Sequence, residues 1–282
     1  MKYNSVAVAI SAGGLKPIAA IPIFQMLAEE GIEIAFITGA SGGAMVAALA
    51  ATGEPPAAMP ALCRSVLRAD MFRPISWRKT LGLLGLPGGR PLGHLDGLVD
   101  PTRIVAAVKA VYGRARIEDS KIPLAINVTD HLTGDPVMLT SGALAEAVYG
   151  SIALWPVLPP GQLDGRWYSD GGYSVAIPII EAWRRNPDVI IAIENREILP
   201  KPQRNFLTRY GTFQTAVRHQ IGRSLALLGT GLHHGELIVI DLEFPRPIDV
   251  DDVAALSTIL EVGERYAERF RARILAAVRR NS

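Results

Sequence analysis

The chain has 282 residues, 49% hydrophobic and 20% charged, which is too apolar for a disordered chain and enough for one large domain or two small ones. A formal net charge of +2 gives no general drive toward nucleic acid, and no nucleic-acid partner is expected. The single cysteine, Cys63, excludes an internal disulfide and a thiolate zinc cluster.

In chain order, Val6–Ile10 is a short apolar run that ends at the turn signal Ser11-Ala12-Gly13-Gly14 and reads as a buried strand. A helix is predicted to follow as far as Glu30, stopped by Gly31. Pro17 suits its first turn, while Pro22 predicts a kink or a later start. Ile32–Ile37 reads as a second buried strand, Gly39–Gly43 as a tight turn, and Ala44–Ala51 as a packed helix closed by Thr52-Gly53. This β-α-β-α opening is the rhythm of a parallel sheet covered by helices. Further strands are predicted over Pro123–Val128, Val137–Leu139, Trp167–Ser169, Val189–Ile193 and Leu237–Leu242. Further helices are predicted over Pro101–Val111, Phe206–Leu228 and Asp251–Val278. The apolar run near the N-terminus is too short for a secretory leader, and no run approaches the ~18 residues of a membrane span, so a soluble, cytoplasmic protein is expected. Mean hydropathy is +0.23, high for such a chain, and points to apolar surface with a purpose.

Glu54–Val99 differs in composition. It carries Pro55, Pro56, Pro60, Pro74, Pro87 and Pro91, several glycines, and basic residues such as Arg64, Arg68 and Arg73. It reads as a cap inserted over a site, not as a separate domain. Within it, Leu81, Leu83, Leu84 and Leu86 are flanked by Arg78, Lys79 and Arg90. That pattern suits an interface with anionic head groups, but core burial is the expectation for most of these leucines. Arg269, Arg271, Arg273, Arg279 and Arg280 on the last helix read as a solvated face, with an anionic-membrane patch as the sharper alternative.

Gly39-Ala40-Ser41-Gly42-Gly43 matches the G-x-S-x-G nucleophile elbow, in which a serine on a strained strand-to-helix turn projects its hydroxyl into a cleft. The predicted strand before it and helix after it fit that demand. The bland alternative is a glycine-rich turn whose serine caps a helix. An ordinary α/β-hydrolase fits poorly, because only two predicted strands precede Ser41. A histidine partner would have to be His219, His233 or His234; the first sits in a predicted helix, and the other two read as solvated loop groups. Ala12-Gly13-Gly14-Leu15-Lys16 satisfies neither the dinucleotide nor the P-loop pattern. Beside an elbow, its N–H groups suit an oxyanion hole instead, with Lys16 adding positive charge or standing as a solvated helix-start residue. Asp170-Gly171-Gly172, alone, reads as a plain turn.

Taken in order, these three motifs resemble those of the patatin-like phospholipases, serine acyl hydrolases that use a Ser–Asp dyad and no histidine. Ser151-Ile152-Ala153-Leu154-Trp155-Pro156 and Val262-Gly263-Glu264-Arg265-Tyr266-Ala267 add to the likeness, which is weakest over Glu54–Val99. The resemblance implies a single domain over 1–282 with a mostly parallel sheet between two helical layers and about 54–100 as its cap. It implies Ser41 as nucleophile, Asp170 as base, and Gly13, Gly14 and Gly42 as oxyanion donors. Gly39, Gly43, Gly171, Gly172 and Lys16 would support the motifs. The apolar neighbours Trp155 and Trp167 are expected to desolvate the acid. The implied substrate is an acyl lipid or fatty ester, such as a phospholipid or lysophospholipid; the cap composition adds an expectation of peripheral contact with an anionic membrane, and with no calcium-loop pattern no metal or cofactor is expected. An acyltransferase using the same serine is an alternative. So is a catalytically impaired lipid-binding protein, since Ser11-Ala12 and Pro17 depart from the family's glycine loop and Pro17 offers no N–H.

Overall fold

Val6–Ile10 (β1) is buried along its whole length at the centre of an eight-stranded sheet in the computed structural model of the protein, which describes residues 5–72, 75–196, 217, 235–249 and 252–280. The remaining elements are Ile21–Glu29 (α1), Ile34–Ala40 (β2), Gly42–Thr52 (α2), Met59–Val66 (α3), Trp77–Leu83 (α4) and Thr102–Tyr112 (α5). Then come Leu124–Asp130 (β3), Pro136–Leu139 (β4), Leu144–Ile152 (α6), Gly161–Leu163 (β5), Arg166–Ser169 (β6) and Ile179–Arg184 (α7). Val189–Asn195 (β7), Glu236–Leu242 (β8) and Leu256–Arg279 (α8) complete the described elements.

The strand order is β5-β6-β3-β2-β1-β7-β8, with β4 also paired to β3. β1 lies parallel to both β2 and β7, and β2–β3 and β7–β8 are parallel as well. A strand held between parallel neighbours is covered on both faces, which is why β1 and the first five residues of β7 are apolar runs instead of alternating ones. Successive residues of β1 feed two cores. Val6, Val8 and Ile10 join α1, α2, α6 and α8, whereas Ala7 and Ala9 pack with Ile179 and Ala182 of α7. The result is the expected α/β architecture, a mostly parallel sheet between helical layers.

One consequence of the pairing sets up the site. β2 occupies β3 from Leu124 to Asn127, while β4 takes the opposite edge over Ile126–Thr129. β6 then pairs antiparallel with Thr129 and Asp130 on the edge that β2 has left. Two strands thus run toward each other along one edge, and the residues after their ends converge.

Several boundaries move. The helix after the first loop splits: a 3-10 turn covers Lys16–Ala20 and α1 starts at Ile21, so Pro22 falls in a first turn, where its missing N–H costs nothing. β2 runs on through Gly39 and Ala40, and α2 begins at Gly42, which narrows the predicted turn to Ser41. The last helix begins at Leu256, later than Asp251, after a 3-10 turn over Val253–Ala255. There Gly263 admits the backbone of Ala19; a Cβ would come within 3.0 Å of its Cα. The predicted helix Phe206–Leu228 lies outside the described residues.

Two surface expectations change. Leu83, Leu84 and Leu86 are exposed, not core, in a segment, 82–90, that folds back on itself with Gly82 and Gly89 in backbone contact. The arginine-rich last helix is counter-charged. Arg271 pairs with Glu29, Glu30 and Glu268, and Arg273 and Arg280 both reach Glu236. Among the described residues, no helix is long and apolar enough to cross a membrane.

Candidate active site

β2 delivers Ser41 with φ 53° and ψ −127°, a strained conformation for a residue with a side chain. Strain of this kind persists only where the surroundings impose it. Ser41 N–H donates to Ser151 Oγ at 2.8 Å, and Ser151 Oγ donates to the Asn127 carbonyl at 2.7 Å. The glycines around the elbow are there for space. A Cβ on Gly39 would stand 2.5 Å from the Gly43 carbonyl oxygen, and one on Gly43 would stand 2.6 Å from that of Ile10. Strand and helix therefore meet backbone to backbone. The Ser41 hydroxyl does not cap α2, which disposes of the bland reading. It donates instead to Asp170 Oδ2 at 2.6 Å.

Asp170 follows β6 and is fixed on every side. Its N–H donates to the Ala153 carbonyl at 3.0 Å, its own carbonyl accepts from Thr129 Oγ1 at 2.8 Å, and its Oδ1 accepts from Gly172 N–H at 2.8 Å. Asp170-Gly171-Gly172 is therefore not a plain turn: Asp170 caps a 3-10 turn over Gly171–Tyr173. Asn127 Nδ2 holds that turn by donating to the carbonyls of Gly171 at 2.7 Å and Val175 at 3.1 Å. Ser41 and Asp170 are 8% and 7% exposed, so the pair is shielded yet reachable. At the base of β6, Arg166 donates to Asp130 Oδ2 at 2.7 Å. Burial pushes the Asp130 carboxyl upward, but the Arg166 guanidinium and the N–H groups of Thr133 and Leu132 outweigh it and hold it below the usual carboxylate range.

The glycine loop closes the third side. Gly13 and Gly14 take φ of 154° and 60°, the region that favours glycine. Ala12 N–H is committed to the Ala176 carbonyl at 2.7 Å, while the N–H groups of Gly13, Gly14 and Gly42 carry no hydrogen bond to another described residue. Asn195, at the end of β7, holds the loop by donating from Nδ2 to Ser11 Oγ at 2.9 Å and to the Ala12 carbonyl at 3.2 Å. The three motifs touch pairwise: a Cβ on Gly42 would overlap the Gly14 carbonyl, one on Gly172 would stand 2.9 Å from Ala12 Cβ, and Ser41 meets Asp170. Lys16 is buried, against its reading as a solvated residue.

Each of the two tryptophans has contacts of its own. Trp155 packs edge-on to His131 at 5.7 Å between ring centroids and donates from Nε1 to the Asp96 carbonyl at 3.2 Å. Trp167 lines a cleft of about 310 Å³ with Tyr149, Pro159 and Gln162. His219, His233 and His234 lie outside the described residues. Sequence reasoning missed Asn127, Thr129 and Asn195 and the role of Ser151, the polar residues that hold the loops; Asn127 does leave a signal, as a polar residue inside the apolar run of β3.

Residues 8–183 match the model of the patatin-like phospholipase family, a span that takes in the glycine loop, the elbow and the acid. An uncharacterised NTE family protein of Mycobacterium tuberculosis is 32% identical over 192 residues, 67% of this chain and 48% of its own, so the chain spans about half the length of that relative. Lysophospholipase NTE1 of Pyricularia oryzae is 27% identical over 191 residues, 68% of this chain and 12% of its own. Among solved structures, VipD from Legionella pneumophila shares the fold with a TM-score of 0.51 and 15% identity, over 94% of this chain and 67% of that one. The family match runs through all three converging motifs, and the chain belongs to the patatin-like phospholipase family.

Proposed function

We propose that the protein hydrolyses carboxylic esters of acyl lipids through a covalent intermediate on Ser41, with Asp170 as its base. The observation that carries this reading is the 2.6 Å hydrogen bond from Ser41 Oγ to Asp170 Oδ2 on a strained elbow. Asp170 takes the hydroxyl proton as Oγ attacks the ester carbonyl. The N–H groups of Gly13, Gly14 and Gly42 stabilise the oxyanion; losing one such donor costs roughly 100- to 1,000-fold in rate. Asp170 returns the proton to the departing alcohol. It then takes one from the water that attacks the acyl-enzyme, which releases the fatty acid and restores Ser41. The positions of Gly39, Gly43 and Gly171 support the reading, since each lets a backbone approach that a side chain would block, and Gly172 makes room for the Ala12 and Asp170 side chains. An acyl-lipid substrate is supported by the family and by relatives named as lysophospholipases. Residues 54–100 are read as a cap on this site.

A fluorophosphonate probe tests the proposal without knowledge of the acyl chain, because it labels activated serines. Labelling is expected at Ser41, with loss in both Ser41→Ala and Asp170→Asn proteins. Folded wild-type protein that resists the probe and hydrolyses no acyl ester would overturn it.

A further inference from the structure

We propose that α4 and the turn after it form a docking surface for an anionic lipid bilayer, with Trp77, Leu83, Leu84 and Leu86 entering the interface and Arg78 and Arg90 meeting the head groups. A helix in a globular chain ordinarily turns one stripe inward. α4 buries none of its residues. Trp77 is 67% exposed and Leu84 54%, and Ile75, Leu83 and Leu86 are exposed beside them. Most of the large exposed apolar side chains among the described residues thus fall within this one short stretch. Such clustering, unlike scattered surface leucines, marks a surface that is covered in use.

Charge chooses the occupant. From Met71 to Leu95 the chain carries Arg73, Arg78, Lys79 and Arg90 and no aspartate or glutamate. Lys79 is drawn inward, donating to the Gly97 carbonyl at 2.7 Å and standing 3.8 Å from Asp96. Arg78 lies over the Trp77 ring at 5.8 Å, and Arg90 is exposed. A second copy on the same patch would set like charges against each other in a symmetric contact. Anionic head groups above an apolar layer satisfy both features, with arginine heads at the phosphate level and tryptophan at the boundary. The platform is tied down. Ser76 N–H donates to the Leu98 carbonyl at 2.9 Å, and Leu98 and Val99 N–H donate to the carbonyls of Pro156 and Val157 at 2.8 and 3.0 Å. That loop begins at Ala153, whose carbonyl accepts the Asp170 N–H, so one loop anchors both the platform and the acid.

The test uses Ser41→Ala protein in flotation with vesicles, so that binding is read apart from chemistry. Vesicles of phosphatidylcholine alone are compared with ones containing about a third phosphatidylglycerol. Binding to the anionic vesicles is expected to be at least roughly 10-fold tighter, and to weaken with salt. Trp77→Ala/Leu84→Ala and Arg78→Glu/Arg90→Glu should each weaken it by at least roughly 10-fold, while Trp77→Phe retains it. Hydrolysis of a short soluble ester by the same surface variants in the Ser41 background should be unchanged, which also shows that they fold. Equal affinity for neutral and anionic vesicles, or full binding by either double variant, would overturn the proposal. So would a wild-type dimer by light scattering that the Trp77→Ala/Leu84→Ala protein no longer forms, because the patch would then belong to a second copy. Failure of ester hydrolysis alone leaves the binding result intact and counts only against the role of Ser41.

Discussion

Asp170→Asn separates the proposed base role of Asp170 from its place in the scaffold. Hydrogen bonds that fix Asp170 include its N–H to Ala153, its carbonyl from Thr129, Oδ1 from Gly172 N–H and Oδ2 from Ser41 Oγ. An asparagine keeps the first three by turning its amide oxygen toward Gly172. Its NH2 then faces Ser41 Oγ, and the serine hydroxyl must accept instead of donate. The proton that has to leave Oγ no longer has a receiver. Removing a positioned general base costs roughly 100- to 10,000-fold, about 3–5.5 kcal/mol of barrier. The stability cost is far smaller, about 1 kcal/mol, because the contacts to Ala153, Thr129 and Gly172 are kept. The assay is kcat/KM on a soluble short-chain ester with melting temperature measured in parallel. A folded Asp170→Asn protein that retains wild-type kcat/KM would refute the base role and with it the dyad.

Ser151→Ala removes the only described partner of the Ser41 N–H and a partner of the Asn127 carbonyl, both buried. Calorimetry should show a loss of about 2 kcal/mol, and fluorophosphonate labelling should slow as the elbow relaxes; unchanged melting and labelling would dismiss the pin. Asp130 has a depressed folded pKa, so its contribution is present above the ordinary carboxyl value of about 4 and is lost as pH falls through the folded value. The stability difference between wild type and Asp130→Asn should therefore be full at neutral pH and shrink in acid, and a difference that stays flat across pH would contradict the Arg166 pairing. Burial pushes the Cys63 thiol up to about 12. Native protein should leave a disulfide reagent unreacted at mildly alkaline pH and react once guanidinium is added; rapid native modification would show that α3 is not packed as described.

What could be read from the residues follows their physics. β1 and Val189–Ile193 of β7 are legible because burial on both faces makes each an uninterrupted apolar run. The three motifs are legible because each is short and marked by glycines at places where backbones touch. α6 and α7 escaped because Ala143 and Pro178 stand at their N-caps, and neither offers a capping side chain. Ser151, Thr129 and Asn195 escaped because their roles exist only across the fold: Asn195 meets Ser11 over a separation of 184 residues, and nothing local announces it. The leucines after Thr80 were misplaced because a Gly- and Pro-broken stretch has no period to tell an inner face from an outer one.

The end-to-end docking of β2 and β6 on one edge of β3 has a bearing on how activity is born. The elbow is assembled from β1, β2 and α2, neighbours in the first fifth of the chain, whereas the Ser41–Asp170 bond closes a loop of 129 residues. Closing a loop of that length costs about 4 kcal/mol of chain entropy, and it is repaid only when the β5–β6 hairpin settles against Thr129 and Asp130. Recovery of activity during refolding would thus clock the arrival of that hairpin, not the collapse of the parallel core. A nascent chain emerging as far as β4 still lacks both Ser151, which pins the serine turn, and Asp170, which accepts its hydroxyl.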